Sequence, residues 1–160
     1  MRDQAGVTLA RYRRAVQACA VMNFRQAARS VTAYFDQQLR PARLRATQLN
    51  LLMAIEIGAA TTVTDLAEIL AMDRTTMTRN LKLLRDRRLV EKNRIALTEK
   101  GRRSAAAALP LWEAAQAQIL GSLGKRRWAT LLGELAAAKA SVPSRSKVPS
   151  DRVQPGLRLR

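Results

Sequence analysis

The spacing of apolar and polar positions between residues 61 and 101 predicts two short helices, a small hairpin and the start of another helix. The apolar positions of the first helix recur at helical spacing on one face: Val63, Leu66, Ala67 and Leu70. Thr62 precedes Asp65 by three residues, the spacing of a capping box, which predicts where this helix begins.

A three-residue connection, residues 71–73, leads to a second helix with Met77, Leu81 and Leu84 on its predicted buried face. The opposite face carries basic and hydroxyl side chains and no acid: Arg74, Thr75, Thr76, Thr78, Arg79, Lys82 and Arg85. Guanidinium and hydroxyl groups on such a face suit the base edges and phosphates of a DNA major groove. Residues 47–98 are therefore predicted to form a winged helix-turn-helix.

Helical periodicity continues on both sides of this segment, which makes the predicted fold class mainly α with a small β-hairpin wing. The predicted helices are 15–39, 47–57, 98–123 and 125–140, and the predicted strands are 89–92 and 94–97. Pro41 should end the first helix, and Gly58 should close the second. Pro110 should kink the long third helix. Residues 1–14 are expected to be frayed or to lead into a helix.

Composition bounds the domain organisation and the partners. At 160 residues the chain fits a single domain, predicted to span residues 1–140 and to be followed by a flexible basic tail, 141–160. The hydrophobic content of 48% with only 4% aromatic residues favours helix packing. A net charge of +17 attracts polyanions, either nucleic acid or an anionic membrane. Neither a membrane span nor a signal peptide is evident, so no membrane partner is expected.

Cysteine and histidine usage narrows the possible chemistry. Cys19 is the only cysteine, which excludes an intrachain disulfide and fits a reducing cytoplasm. The chain has no histidine, which removes the commonest zinc ligand and the commonest general base. Since no nucleophile–base pair, metal cluster or phosphate-binding glycine loop is evident, neither an enzyme nor a cofactor or metal is expected.

Two stretches, TDLAEILAMDRTTMTRNLKLL and LTEKGR, resemble the MarR family of bacterial transcriptional regulators, and the resemblance extends from about Ala15 to Ala138. It implies a homodimer that represses transcription by binding palindromic double-stranded DNA. It also implies that residues 15–45 and 99–140 form the dimerisation helices. Two recognition helices about 34 Å apart would read two half-sites.

The second helix is the predicted DNA-binding site. Arg74 and Arg79 are each expected to donate a bidentate pair to guanine, worth about 1–3 kcal/mol of discrimination. The three threonines are expected to reach phosphates or a thymine methyl near the helix N-terminus. Lys82 and Arg85 lie further along the helix and are expected to touch the DNA backbone or solvent. The alternative is an ordinary solvated helix face.

The predicted wing departs from the family pattern, which the resemblance implies is a longer loop with an Asp-x-Arg element. Only Lys92, Asn93 and Arg94 join the strands here, without the acidic partner. The wing is either short or lacks a segment, and Arg94 either reaches the minor groove or is a plain turn residue. Arg88 stands where the family prefers glycine, at a cost of about 1–2 kcal/mol if that position is left-handed.

The resemblance also implies a small aromatic or phenolic anion as effector, held between the dimerisation helices and the winged helix-turn-helix. Its candidate pocket residues are Phe24, Tyr34, Met53, Ile57 and Trp112, with Arg25 or Arg29 for a carboxylate. The alternative is that these are plain core or surface residues. Cys19 is a second candidate trigger, by oxidation, against the alternative of a buried structural cysteine.

The last two predicted helices carry more apolar side chains than the small winged helix-turn-helix could cover. These are Leu109, Leu111, Trp112, Ile119, Leu120, Leu123, Trp128, Leu131, Leu132 and Leu135. They are expected to form a dimer interface with the first helix, or else intrachain core. The rival function is a sequence-indifferent architectural protein that coats nucleic acid, which the charge, the basic tail and the short wing would suit.

Overall fold

A computed structural model describes the backbone of residues 2–142 and the side chains of residues 8–142. The described part is mainly helical, as predicted. Its helices are α1 (Arg2–Ala18), α2 (Ala20–Gln38), α3 (Ala46–Glu56), α4 (Val63–Ile69), α5 (Arg74–Asp86), α6 (Glu99–Leu123) and α7 (Lys125–Ser141), with a 3-10 turn at Arg40–Ala42. Two compact units divide between Ala117 and Gln118. The predicted tail lies outside the described residues from residue 143 onward.

A leucine-rich core fills the first unit. It takes side chains from the end of α2, from α3, α4 and α5, from residues 89–97 and from α6. The predicted buried face of α5 is confirmed, because Met77 and Leu84 are 0% exposed and Leu81 is 1% exposed. Burial of these three side chains in the core, where α5 packs against α4, therefore decides which face of α5 is left outside.

The predicted long helix over residues 15–39 is wrong in two respects. Helical backbone already begins at Arg2, and the helix is interrupted at Cys19, whose ψ of 112° is extended. The side-chain amide of Asn23 donates to the carbonyl oxygens of Gln17 at 3.0 Å and of Cys19 at 2.9 Å. The backbone N–H of Asn23 also donates to the Cys19 carbonyl at 3.0 Å, so α2 keeps its first helical bond, and the side-chain amide adds a partner for the carbonyl of Gln17.

Helix α3 lies within one residue of its predicted bounds at each end and closes at Gly58 as expected. Gly58 has a φ of 65°, and the N–H of Ala59 donates to the carbonyl of Ala54 at 3.0 Å. Three other turns use the same left-handed conformation without glycine, at Arg43, Ala71 and Arg88. Arg88, which stands where the family prefers glycine, therefore does lie in the left-handed region, with a φ of 59°.

The segment after α5 folds back on itself with less regular structure than predicted. Val90 and Leu97 form an isolated antiparallel bridge, and the N–H of Glu91 donates to the carbonyl of Ala96 at 2.9 Å. Residues 2–142 contain no β-strand, so the two predicted strands are not confirmed. A second hydrogen bond, from the N–H of Thr98 to the carbonyl of Leu89 at 3.1 Å, lies on the other side of the bridge.

The second unit contains the end of α6 and all of α7, which follows Gly124 with its φ of 78°. Leu131, Leu132 and Leu135 lie between 40% and 48% exposed on α7. None of the helices between residues 2 and 142 is both long enough and apolar enough to cross a lipid bilayer.

Candidate nucleic-acid interface

Helix α4 and the turn behind it set the position of α5. Thr62 and Asp65 form the predicted reciprocal capping box: the Thr62 Oγ1 accepts from the Asp65 N–H at 3.1 Å, and Asp65 Oδ2 accepts from the Thr62 N–H at 3.2 Å. At the other end the N–H of Met72 donates to the carbonyl of Ala67 at 2.8 Å, across left-handed Ala71. This tight turn lets α5 pack against α4, with Arg74 and Thr75 of its first turn exposed.

The first turn of α5 is held by Asp73. Its carboxylate accepts from the backbone N–H of Thr76 at 2.8 Å and from the Thr76 hydroxyl at 2.6 Å. These hydrogen bonds hold the pKa of the Asp73 carboxyl below its ordinary value of 3.8. The hydroxyl of Thr78 donates to the carbonyl of Arg74 at 2.9 Å. Of the three predicted contact threonines, Thr75 alone is left with a hydroxyl proton that no described residue accepts.

The predicted basic residues of α5 fall into two groups. Arg74 and Arg79 are exposed, and neither side chain bonds to any residue in the described part of the chain. Lys82 pairs with Asp86 at 2.9 Å, and the half-buried Arg85 donates from Nε to the carbonyl of Glu91 at 3.0 Å. The first two turns therefore present free guanidinium groups, whereas the last turns use their cations to hold neighbouring backbone and side chains.

A cavity of about 590 Å³ is lined by the end of α5 and by the loop that follows it. It is lined by Thr78, Lys82, Arg85, Asp86, Arg88 and Lys92. In the same loop the Arg94 side chain is 73% exposed, and its Nη2 lies 3.8 Å from Glu91 Oε1. Glu91, three residues earlier, thus supplies a carboxylate that the family's Asp-x-Arg spacing did not identify, in an exposed and weak pair.

The C-terminal end of α5 is tied to the first turn of α6, a connection that sequence reasoning missed. The Thr98 hydroxyl donates to the carbonyl of Arg88 at 2.7 Å, while its oxygen accepts from the N–H of Gly101 at 3.0 Å. The Lys100 ammonium donates to the carbonyl of Arg87 at 3.0 Å. The LTEKG motif thus joins two helices, and its fixed spacing after α5 was the available signal.

Gly101 is required in that motif by the backbone of Leu89. A Cβ added to Gly101 would overlap the Leu89 carbonyl oxygen and lie 3.0 Å from the carbonyl carbon. The same oxygen accepts from the N–H of Thr98 at 3.1 Å. Only a residue without a side chain lets α6 begin this close to the chain leaving α5.

The candidate effector residues do not converge on one pocket. Met53 and Ile57 line a mainly apolar cavity of about 430 Å³, together with Glu56, Arg102, Ala105, Ala106 and Leu109. At this cavity Arg102 Nε lies 3.3 Å from Glu56 Oε1. The cation nearest to the two predicted apolar residues is therefore Arg102 rather than Arg25 or Arg29.

The remaining candidates lie elsewhere. Half-buried Tyr34 and Trp112 flank Phe35, with ring centroids 5.9 and 6.3 Å from it. Phe24 is 50% exposed on α2, and Arg25 and Arg29 line a separate depression on the same helix. Cys19 is half-buried at the junction of α1 and α2. The aromatic group thus includes a core residue, Phe35, and is separate from the Met53 cavity.

A second helix that buries one face and leaves unpaired arginines on the other is the arrangement with which helix-turn-helix proteins enter a DNA major groove. The sequence model of the MarR family matches residues 44–103 of the chain. The chain belongs to the MarR family of transcriptional regulators, which are not enzymes. No functionally curated protein matches the chain.

Solved structures similar to this chain range from 38% to 23% sequence identity among the three described next. The M. tuberculosis transcriptional regulator MosR is 38% identical over 77% of this chain and 98% of its own, with a TM-score of 0.64. The same regulator in complex with DNA is 35% identical over 76% and 98%, with a TM-score of 0.61. The repressor CouR bound to p-coumaroyl-CoA shares the fold at 23% identity, over 80% and 96%, with a TM-score of 0.73.

Proposed function

We propose that the protein is a cytoplasmic homodimeric repressor that reads a palindromic operator with the outer face of α5. The observation that carries the proposal is the pair of exposed, unpaired guanidinium groups of Arg74 and Arg79, opposite a face that is buried in the core. MosR, at 35% identity, has been solved in complex with DNA, which supports a duplex as the partner.

Within this proposal the two groups of α5 residues have different roles. Arg74 and Arg79 donate to guanine edges in the major groove, and Thr75 donates to a phosphate. Thr76 and Thr78 shape the first turns through their internal bonds, and contact DNA through their methyl groups or after rotation of the hydroxyl. Lys82 and Arg85 add positive charge near the backbone, and Arg94 extends toward the minor groove.

The homodimer is proposed from exposed apolar side chains near both ends of the described chain. Those on α1 and α2 are Leu9, Tyr12, Val16, Val21, Met22, Phe24 and Val31, and those on α7 are Leu131, Leu132 and Leu135. Such surface is covered in a stable protein when a second copy packs against it. Sedimentation at micromolar concentration should show a dimer, and a stable monomer would remove the basis for a palindromic site.

The cavity beside Met53 and Ile57 is the proposed effector site, for a small aromatic or phenolic anion that displaces Glu56 from Arg102. Support comes from its apolar lining and from Arg102, which lies 3.3 Å from Glu56 at the cavity and 3.7 Å from Glu99 outside the lining. CouR was solved with p-coumaroyl-CoA, and BpsR of Bordetella bronchiseptica is regulated by 6-hydroxynicotinic acid, although at 21–23% identity they share only the fold. An Arg102→Gln variant should lose response to salicylate while keeping operator binding. Retained response would move the effector elsewhere.

Selection of bound sequences from random duplexes tests the function directly. A repressor should enrich an inverted repeat and bind it about 10³-fold or more tighter than random duplex at 0.15 M salt. The rival, an architectural protein, is favoured by the +17 charge and by the loop reduced to a single bridge. It would bind random duplex almost as tightly as any selected site, with a steep salt dependence.

A further inference from the structure

A cavity of about 590 Å³ lies where α2 ends, on the side of the 3-10 turn and α3. Four arginines and one aspartate account for all its charged lining residues: Arg40, Arg43, Arg45, Arg87 and Asp36. Three of these cations lie in the chain between α2 and α3, and the fourth, Arg87, directly follows the last residue of α5. The cavity is distinct from the proposed effector site, which shares no lining residue with it.

The single carboxylate in this cavity is already occupied. Asp36 Oδ1 accepts from the backbone N–H of Ala46 at 2.7 Å, at the first residue of α3. Asp36 Oδ2 lies 3.4 Å from Arg45 Nη1. The aspartate therefore caps α3 and neutralises one arginine, which leaves the other three guanidinium groups of the cavity without an acidic partner among the described residues.

Arg87 is fixed in place by neutral groups. Its Nη2 donates to the carbonyl of Arg43 at 2.8 Å, and its Nη1 lies 3.3 Å from Gln48 Oε1. That amide oxygen, which carries no formal charge, also accepts from the backbone N–H of Arg45 at 3.1 Å. A half-buried guanidinium oriented by neutral acceptors keeps its full positive charge and has further N–H groups to donate.

We propose that this cavity is a binding site for a phosphate group, held by Arg87 with Arg40 and Arg43. Guanidinium groups donate two parallel hydrogen bonds to phosphate, and a phosphate oxygen set can accept from several arginines at once. The volume exceeds that of a single phosphate and admits a polyphosphate or a phosphorylated small molecule. The phosphate belongs either to a free small molecule or to the backbone of bound DNA.

Binding of tripolyphosphate to the free protein tests the site by calorimetry at 0.15 M salt, where screening limits attraction by distant charges to about 8 Å. Arg87→Gln should weaken binding by about tenfold or more, and Arg43→Gln should weaken it as well. The Arg43 side chain is exposed and makes no bond with a described residue, so this variant avoids the risk of misfolding. Arg14→Gln, an equal charge loss on α1, is the matched control and should change little.

The source of the phosphate is distinguished with duplex DNA. If the site holds the DNA backbone, Arg43→Gln should reduce the slope of log K against log salt by about one, on operator and random duplex alike. If it holds a free molecule, that slope should stay unchanged and tripolyphosphate should still bind the DNA complex. The proposal is overturned if Arg14→Gln and Arg43→Gln have the same effect in both measurements. Failure of operator selection would not affect this result, since tripolyphosphate binding needs no DNA.

Discussion

Substitution of Gly101 by alanine should destabilise the protein although alanine is the better helix former. The added methyl group would overlap the Leu89 carbonyl oxygen, so the first turn of α6 or the chain after α5 must move. Overpacking of this kind costs about 1–3 kcal/mol. Weakening of the hydrogen bond from the Thr98 N–H to the same oxygen adds about 1 kcal/mol. The higher helix propensity of alanine offsets about 1 kcal/mol.

The net loss in the free energy of unfolding is therefore about 1–3 kcal/mol, which corresponds to a fall in Tm of roughly 2–12 °C. Urea unfolding followed by circular dichroism measures it, at one fixed protein concentration because association contributes to the apparent stability. Gly121→Ala is the matched control, since Gly121 lies in the same helix and its added Cβ would meet nothing within 4 Å. An unchanged or raised stability of Gly101→Ala would refute the steric argument.

Other substitutions test the remaining steps. Arg79→Ala should cost about 1–3 kcal/mol on a selected operator with folding nearly unchanged, and equal losses on operator and random duplex would exclude base reading. Arg88→Gly should raise the free energy of unfolding in urea by about 1 kcal/mol, because Arg88 has a φ of 59°. Because the pKa of the Asp73 carboxyl is lowered in the fold, its ionised form stabilises the folded state above about pH 3.8, the ordinary pKa. The stability advantage over Asp73→Asn should therefore be present at pH 7 and shrink as the pH falls below 3.8. Truncation after Ser141 should weaken operator and random-duplex binding by similar factors and flatten the salt dependence, whereas unchanged affinity would make the tail inert.

Local sequence patterns predicted the elements whose causes are local. The buried face of α5, the capping box at Thr62 and the closure at Gly58 each depend on residues within about one or two helical turns. The break at Cys19 was missed because neither glycine nor proline marks it. The pairing of Arg87 with Gln48 joins residues 39 apart in sequence, which no periodicity reveals.

The hydrogen bonds from Thr98 and Lys100 connect the end of α5 rigidly to the start of α6. Carbonyl groups at a helix end normally face water, but here the next helix holds two of them with side chains of its own first turn. A rotation of the first turn of α6 would therefore move the end of α5 with it. A ligand that acts on α6 need not touch α5 to change the angle at which the helix meets DNA.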